Sequence, residues 1–72
     1  MSPSELSTTR VMSAIYECKG RLGRWATSAE IASYLEVPVK DVRPLLAELR
    51  VKRLFRDRQR DNRKVWMPWG AP

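Results

Sequence analysis

The chain has no histidine and only one cysteine, Cys18, among its 72 residues. Without histidine there is no imidazole base and no imidazole metal ligand, and one thiol builds neither a thiolate cage nor an internal disulfide. Structural zinc and disulfide scaffolds are therefore excluded, and no cofactor or metal is expected. No apolar run approaches the length of a membrane span, and the first ten residues, MSPSELSTTR, lack the charged and apolar regions of a secretory leader. The expected setting is soluble, reducing and cytoplasmic. Acidic residues are scarce where basic ones are dense. Residues 1–49 hold six basic and six acidic side chains, whereas residues 50–64 hold eight basic and two acidic, so the whole net charge of +6 lies between Arg50 and Lys64. A field confined in this way points to a polyanionic partner, because each Lys or Arg beside a phosphate releases condensed counterions.

What is present is enough to fold. Hydrophobic residues make up 43% of the chain, too many for a disordered basic tail and enough to offset chain entropy in one small domain spanning residues 1–72. That domain is too small to enclose a roomy substrate cavity. Ser2-Pro3-Ser4-Glu5 fits a capping box with proline at the first helical position, and Ser7 is a second N-cap candidate. A helix is expected over about 8–19. Val11, Ile15, Cys18 and Leu22 recur along one stripe, with Gly20 and Gly23 as stop signals. Cys18 is then a small core residue rather than a reactive thiol. Arg24-Trp25-Ala26 has room only for a single strand or a bend.

Thr27 followed by Glu30 is a T-x-x-E capping box and opens a short second helix, about 28–35, with Ile31, Ala32 and Leu35 apolar. Glu36-Val37-Pro38 forms the turn, since Pro38 holds Val37 extended. A third helix, about 39–52, carries Val42, Leu45, Leu46 and Leu49 on one face and Lys40, Pro44, Ala47 and Val51 on the other, with Arg43 and Arg50 on the shoulder. Pro44 interrupts it at a penalty of about 3 kcal/mol in a helix interior, so the helix either kinks there or has its regular part begin near Pro44. A hairpin over about 54–67 follows, leaving 68–72 as a loose tail. Two registers compete. A two-residue turn at Asp61-Asn62 sets Asp57 opposite Trp66 and Arg58 opposite Val65. A four-residue loop sets Phe55 opposite Trp66, Asp57 opposite Lys64, Leu54 opposite Met67 and Arg58 opposite Arg63. Its aromatic and opposite-charge pairs favour the second.

The order helix, short strand, helix, tight turn, helix, basic hairpin resembles the winged helix-turn-helix domains of bacterial and phage transcription regulators, over about residues 7–68. The segment SAEIASYLEVPVKDVRPLLAELRVKRLF carries the likeness, with Ala32, Val37, Val42, Leu46, Leu49 and Leu54 at the family's core positions. The resemblance implies a mainly helical α+β fold, a third helix lying in the major groove of double-stranded DNA, and a wing reaching along the backbone or into the minor groove. Carried over by position, Lys40, Arg43 and Ala47 face base edges or phosphates, and Arg56, Arg58, Arg60, Arg63 and Lys64 form the wing contact, with Arg50 at the end of the reading helix. Thr27 or Ser28, at a helix N-terminus, is placed to hold a phosphate through backbone N–H groups. The chain departs from the family at Arg53, where glycine is usual. It also departs from the Z-form nucleic-acid-binding branch at Arg43, Ala47 and Lys64-Val65.

Ten of the 14 basic residues are arginine, whose planar fork pairs bidentately with guanine or phosphate. Trp25 and Trp66 read as packing residues rather than base-stacking platforms. Trp69 is either an exposed anchor or folded back over the sheet. The carboxylates read as caps and surface charges, and with no base-nucleophile pattern the chain is expected not to be an enzyme. The function expected is sequence-specific DNA binding by a small transcription regulator, nucleoid-associated if the source is bacterial. The alternatives are a winged-helix module binding another protein, and RNA binding. A homodimer is expected to use helix one or the tail, because only a few residues follow Met67.

Overall fold

A computed structural model describes residues 6–70. It contains α1 (Thr8–Leu22), α2 (Ser28–Leu35), α3 (Val39–Val51), β1 (Phe55–Arg60) and β2 (Arg63–Pro68), the strands forming one antiparallel hairpin. The fold is mainly helical α+β, in a winged-helix-like arrangement.

Ser7 is the N-cap of α1, its hydroxyl accepting the Arg10 N–H at 3.4 Å; the alternative cap at Ser2-Pro3-Ser4-Glu5 lies outside the described residues. The helix continues through Gly20 and ends at Gly23, so the expected end near residue 19 is corrected. Gly23 is the true stop because its φ of 72° is left-handed, and its N–H closes on the Lys19 carbonyl at 2.9 Å. Gly20 meets no such demand. Val11, Ala14, Ile15 and Cys18 are buried, whereas Leu22, expected on the same stripe, is exposed. Burial pushes the Cys18 thiol pKa up, as suits a core residue.

α2 and its turn follow the capping signals. Glu36 closes the helix with φ 59°, its N–H donating to the Ser33 carbonyl at 3.1 Å. A left-handed glutamate is strained, since a Cβ there crowds the backbone. Glu36→Gly is expected to raise stability by about 0.5–1 kcal/mol, read as a higher denaturation midpoint with unchanged slope.

α3 begins at Val39, so a regular start near Pro44 is not what the chain adopts. Pro44 sits inside the helix. It cannot donate to the Lys40 carbonyl, but both residues are exposed, leaving that carbonyl open to water. Val42, Leu46 and Leu49 are buried and join Ile15, Ile31, Ala32, Leu35 and Phe55 in the core, with Leu45 and Val37 packed against it. Leu54, expected in that core, is 49% exposed. The reason lies one residue earlier: Arg53 takes a left-handed φ of 58°, the Leu54 N–H caps the Leu49 carbonyl at 3.0 Å, and the reversal delivers Phe55 inward instead.

The hairpin takes the two-residue turn, so the preferred four-residue loop is corrected. Phe55 faces Pro68, Asp57 faces Trp66, Arg58 faces Val65, Gln59 faces Lys64 and Arg60 faces Arg63. Asp61 and Asn62 both have positive φ, 50° and 66°, as a type I′ turn requires and as Asp and Asn tolerate. The aromatic partner of Phe55 is not across the strand but on α1, where Tyr16 meets it edge-on at 5.7 Å and also meets Trp25 at 6.2 Å. The segment before α2 adds a third line of pairing. The Trp66 N–H donates to the Ala26 carbonyl at 2.8 Å, and Thr27 bridges Val65. This ties the wing to the start of α2. The expected loose tail is corrected at its beginning: Pro68 belongs to β2, and the Trp69 N–H donates to the Leu54 carbonyl at 3.1 Å. Ala71 and Pro72 lie outside the described residues. No helix among the described residues is long and apolar enough to cross a membrane.

Candidate nucleic-acid interface

The stripe read from α3 is exposed as expected. Lys40, Arg43, Ala47 and Arg50 all lie on the open side of the helix, at spacings of three, four and three that keep them on one face. Arg43, Ala47 and Arg50 line an open groove together with Ser28 from α2 and Lys64 from β2, over a floor formed by Leu46 and Trp66. Three separate chain segments thus contribute to one basic recess. The two-residue turn and the Ala26–Trp66 bond hold its walls together.

Within the groove sits Asp57. Its carboxylate lies 3.6 Å from Arg50 Nη1 and 3.9 Å from Lys64 Nζ, and its side chain is 23% exposed while theirs are 61% and 69% exposed. Such long pairs on mobile, wet cations are weak. The arrangement fixes Asp57 as the pivot while leaving Arg50 and Lys64 able to swing toward another anion. The sequence gives Asp57 no sign of this role beyond its place on an otherwise basic strand.

At the start of α2 the capping box is complete. The Thr27 hydroxyl accepts the Glu30 N–H at 3.2 Å, and Glu30 Oε1 accepts the Thr27 N–H at 3.0 Å. Arg24 then grips the same carboxylate with both guanidinium nitrogens, at 2.9 and 2.6 Å. The Arg24 hydrogen bonds, followed by those from Thr27, hold the Glu30 pKa down at about 2 from an ordinary 4.5 despite partial desolvation. Thr27, expected beside Ser28 as a phosphate ligand, is therefore committed to Glu30; only Ser28 lines the groove. Because the folded pKa is depressed, the stabilisation is complete above about pH 4.5 and is lost as pH falls through about 2. The thermal midpoint should drop across that window, and Glu30→Gln should flatten this part of the drop while costing about 1–2 kcal/mol at neutral pH.

The wing arginines do not form one set. Arg58 and Arg60 line a depression with Lys19, Trp25, Val65 and Met67. Arg60 and Arg63 border another beside Arg24, Trp25 and Thr27. Arg56 stands over Trp69 at 5.6 Å, with Arg53 on the same ring at 6.0 Å. Trp69 is thus folded back against two guanidiniums and remains 49% exposed, combining the two readings of it. Lys19 and Arg53 were outside the candidate set. Arg53 lies in the basic run and was legible there; Lys19 has no local signal and comes to the wing only through the packing of α1. No family model matches the chain, and no match is found among curated proteins or solved structures.

Proposed function

We propose that the protein binds double-stranded DNA with sequence preference and acts as a small transcription regulator by occupying its site. The observation that carries this reading is the convergence of Ser28, Arg43, Ala47, Arg50 and Lys64 on one groove beside the exposed face of α3. In it, α3 enters the major groove. Arg43 reaches base edges, small Ala47 permits close approach, and Lys40, Arg50 and Lys64 take phosphates. Arg56, Arg58, Arg60 and, across from Arg60, Arg63 take no part in this contact, because they share the other side of the hairpin.

Selection of bound sites from random duplex DNA tests the reading. A recovered consensus supports sequence preference, and a protein that shifts no duplex at moderate salt refutes the proposal. Arg43→Ala should relax preference at one position, corresponding to about 1–3 kcal/mol of lost discrimination, with little change in binding to random sequence. Unchanged preference removes Arg43 from base contact.

A second reading, a module that docks on another protein, draws on the exposed Val51, Leu54 and Trp69 near the end of α3 and the base of the hairpin. Recovery of a stoichiometric protein partner without any duplex binding favours it.

A further inference from the structure

The hairpin carries charge differently on its two sides. Successive strand residues point to opposite faces, so Arg56, Arg58 and Arg60 share one side of β1 while Asp57 and Gln59 share the other, with Lys64 across from Gln59. In the α3-side groove, Arg43, Arg50 and Lys64 meet Asp57, which pairs with two of them. The depression on the other side is bordered by Lys19, Arg58 and Arg60 against Trp25, and no carboxylate lines it. The recess with the less compensated positive charge is thus not the one beside the reading helix, and the two share no lining residue.

The strand register sets where Arg58 and Arg60 emerge, and Lys19 is held by its neighbours. Lys19, in the last turn of α1, has its ammonium 5.2 Å from the centre of the Trp25 ring and 3.4 Å from the Gly23 carbonyl. Arg58 stands opposite buried Val65, and Arg60 follows toward the turn. Of the acids near this end of the molecule, Glu30 is occupied by Arg24, and Asp61 follows Arg60 in the turn and borders the neighbouring depression. Cations around an aromatic wall with no carboxylate among the lining residues suit a phosphate backbone, which recruits them without breaking ion pairs.

The two recesses also lie on different sides of the core. α1 packs against α3, and the residues α3 buries are Val42, Leu46 and Leu49, opposite its exposed basic stripe. A duplex seated on that stripe engages the first groove, none of whose lining residues belongs to the second. We propose that Lys19, Arg58 and Arg60 bind the phosphate backbone of a second duplex segment, so that one molecule bridges two stretches of DNA. This inference rests on the DNA-binding reading above.

The test tethers one duplex to beads and measures capture of a second, fluorescent duplex, alongside the affinity for a single duplex in solution. The wild-type protein should capture the second duplex. Lys19→Gln with Arg58→Gln should cut capture about tenfold or more, while single-duplex affinity changes by less than about threefold. Arg21→Gln with Lys52→Gln removes the same charge elsewhere and should leave capture intact. Single-duplex binding without capture by the wild type overturns the second face alone. So does capture that survives the Lys19 and Arg58 changes, which assigns bridging to a protein dimer, or capture lost equally in the charge-matched control. Absence of any duplex binding overturns the proposed function itself.

Discussion

Affinity for a single duplex is expected to fall about fortyfold when monovalent salt is raised from about 50 to 200 mM. Three cations are assigned to phosphates of the first duplex: Lys40, Arg50 and Lys64. Each phosphate neutralised contributes about −0.9 to the slope of log affinity against log salt, so three give a slope of about −2.7. Asp57 modifies this. Arg50 and Lys64 already lie 3.6 and 3.9 Å from its carboxylate, so DNA must draw them away from a partner. Asp57→Asn should therefore raise affinity for random duplex and weaken the preference for specific sites, because Asp57 restrains the cations that bind without regard to sequence. A nearly flat salt titration on the wild-type protein would sink the assignment of the α3 groove to DNA, whatever the affinity at one salt concentration.

The second large effect concerns stability. Leu46→Ala is expected to cost about 2–5 kcal/mol, from lost burial and from the cavity left behind. Leu46 is 1% exposed, sits among the fully buried residues and also floors the basic groove. A domain of this length has a total stability of roughly 4–11 kcal/mol, so the variant should lose a large share of it. Urea denaturation checks this: the midpoint should fall to roughly half of the wild-type value. A midpoint within error of wild type would mean that the α3 face packs differently from the arrangement described. DNA binding by the variant should fail in parallel, because the same side chain supports the core and holds the groove walls apart.

The helices were legible to different degrees for physical reasons. Thr27 and Glu30 announce α2 because the capping box is a local device, complete within four residues. Val42, Leu46 and Leu49 announce the buried face of α3 because helical periodicity is local as well. The end of α1 was harder, since Gly20 and Gly23 look alike in sequence and only the left-handed φ at Gly23 distinguishes them. The hairpin misled through competing local signals. The prospective pairs Phe55–Trp66 and Asp57–Lys64 outweighed the Asp61-Asn62 turn, yet the turn prevailed because Phe55 finds its aromatic partner in Tyr16 of α1. Lys64 still reaches Asp57, diagonally rather than directly across.

By itself the sequence determined that the net positive charge is confined to the stretch from Arg50 to Lys64, that three helices precede a hairpin, and most of the residues those helices bury, Leu22 excepted. Those features follow from composition and from repeats of three to four residues, which act over short range. Only the tertiary structure decided how the charge is divided: Arg43, Arg50 and Lys64 around Asp57 on one side, Arg58 and Arg60 beside Lys19 on the other. Strand alternation alone separates neighbours along the wing, but what each side meets depends on where α1 and α3 pack, and those contacts join residues far apart in the chain.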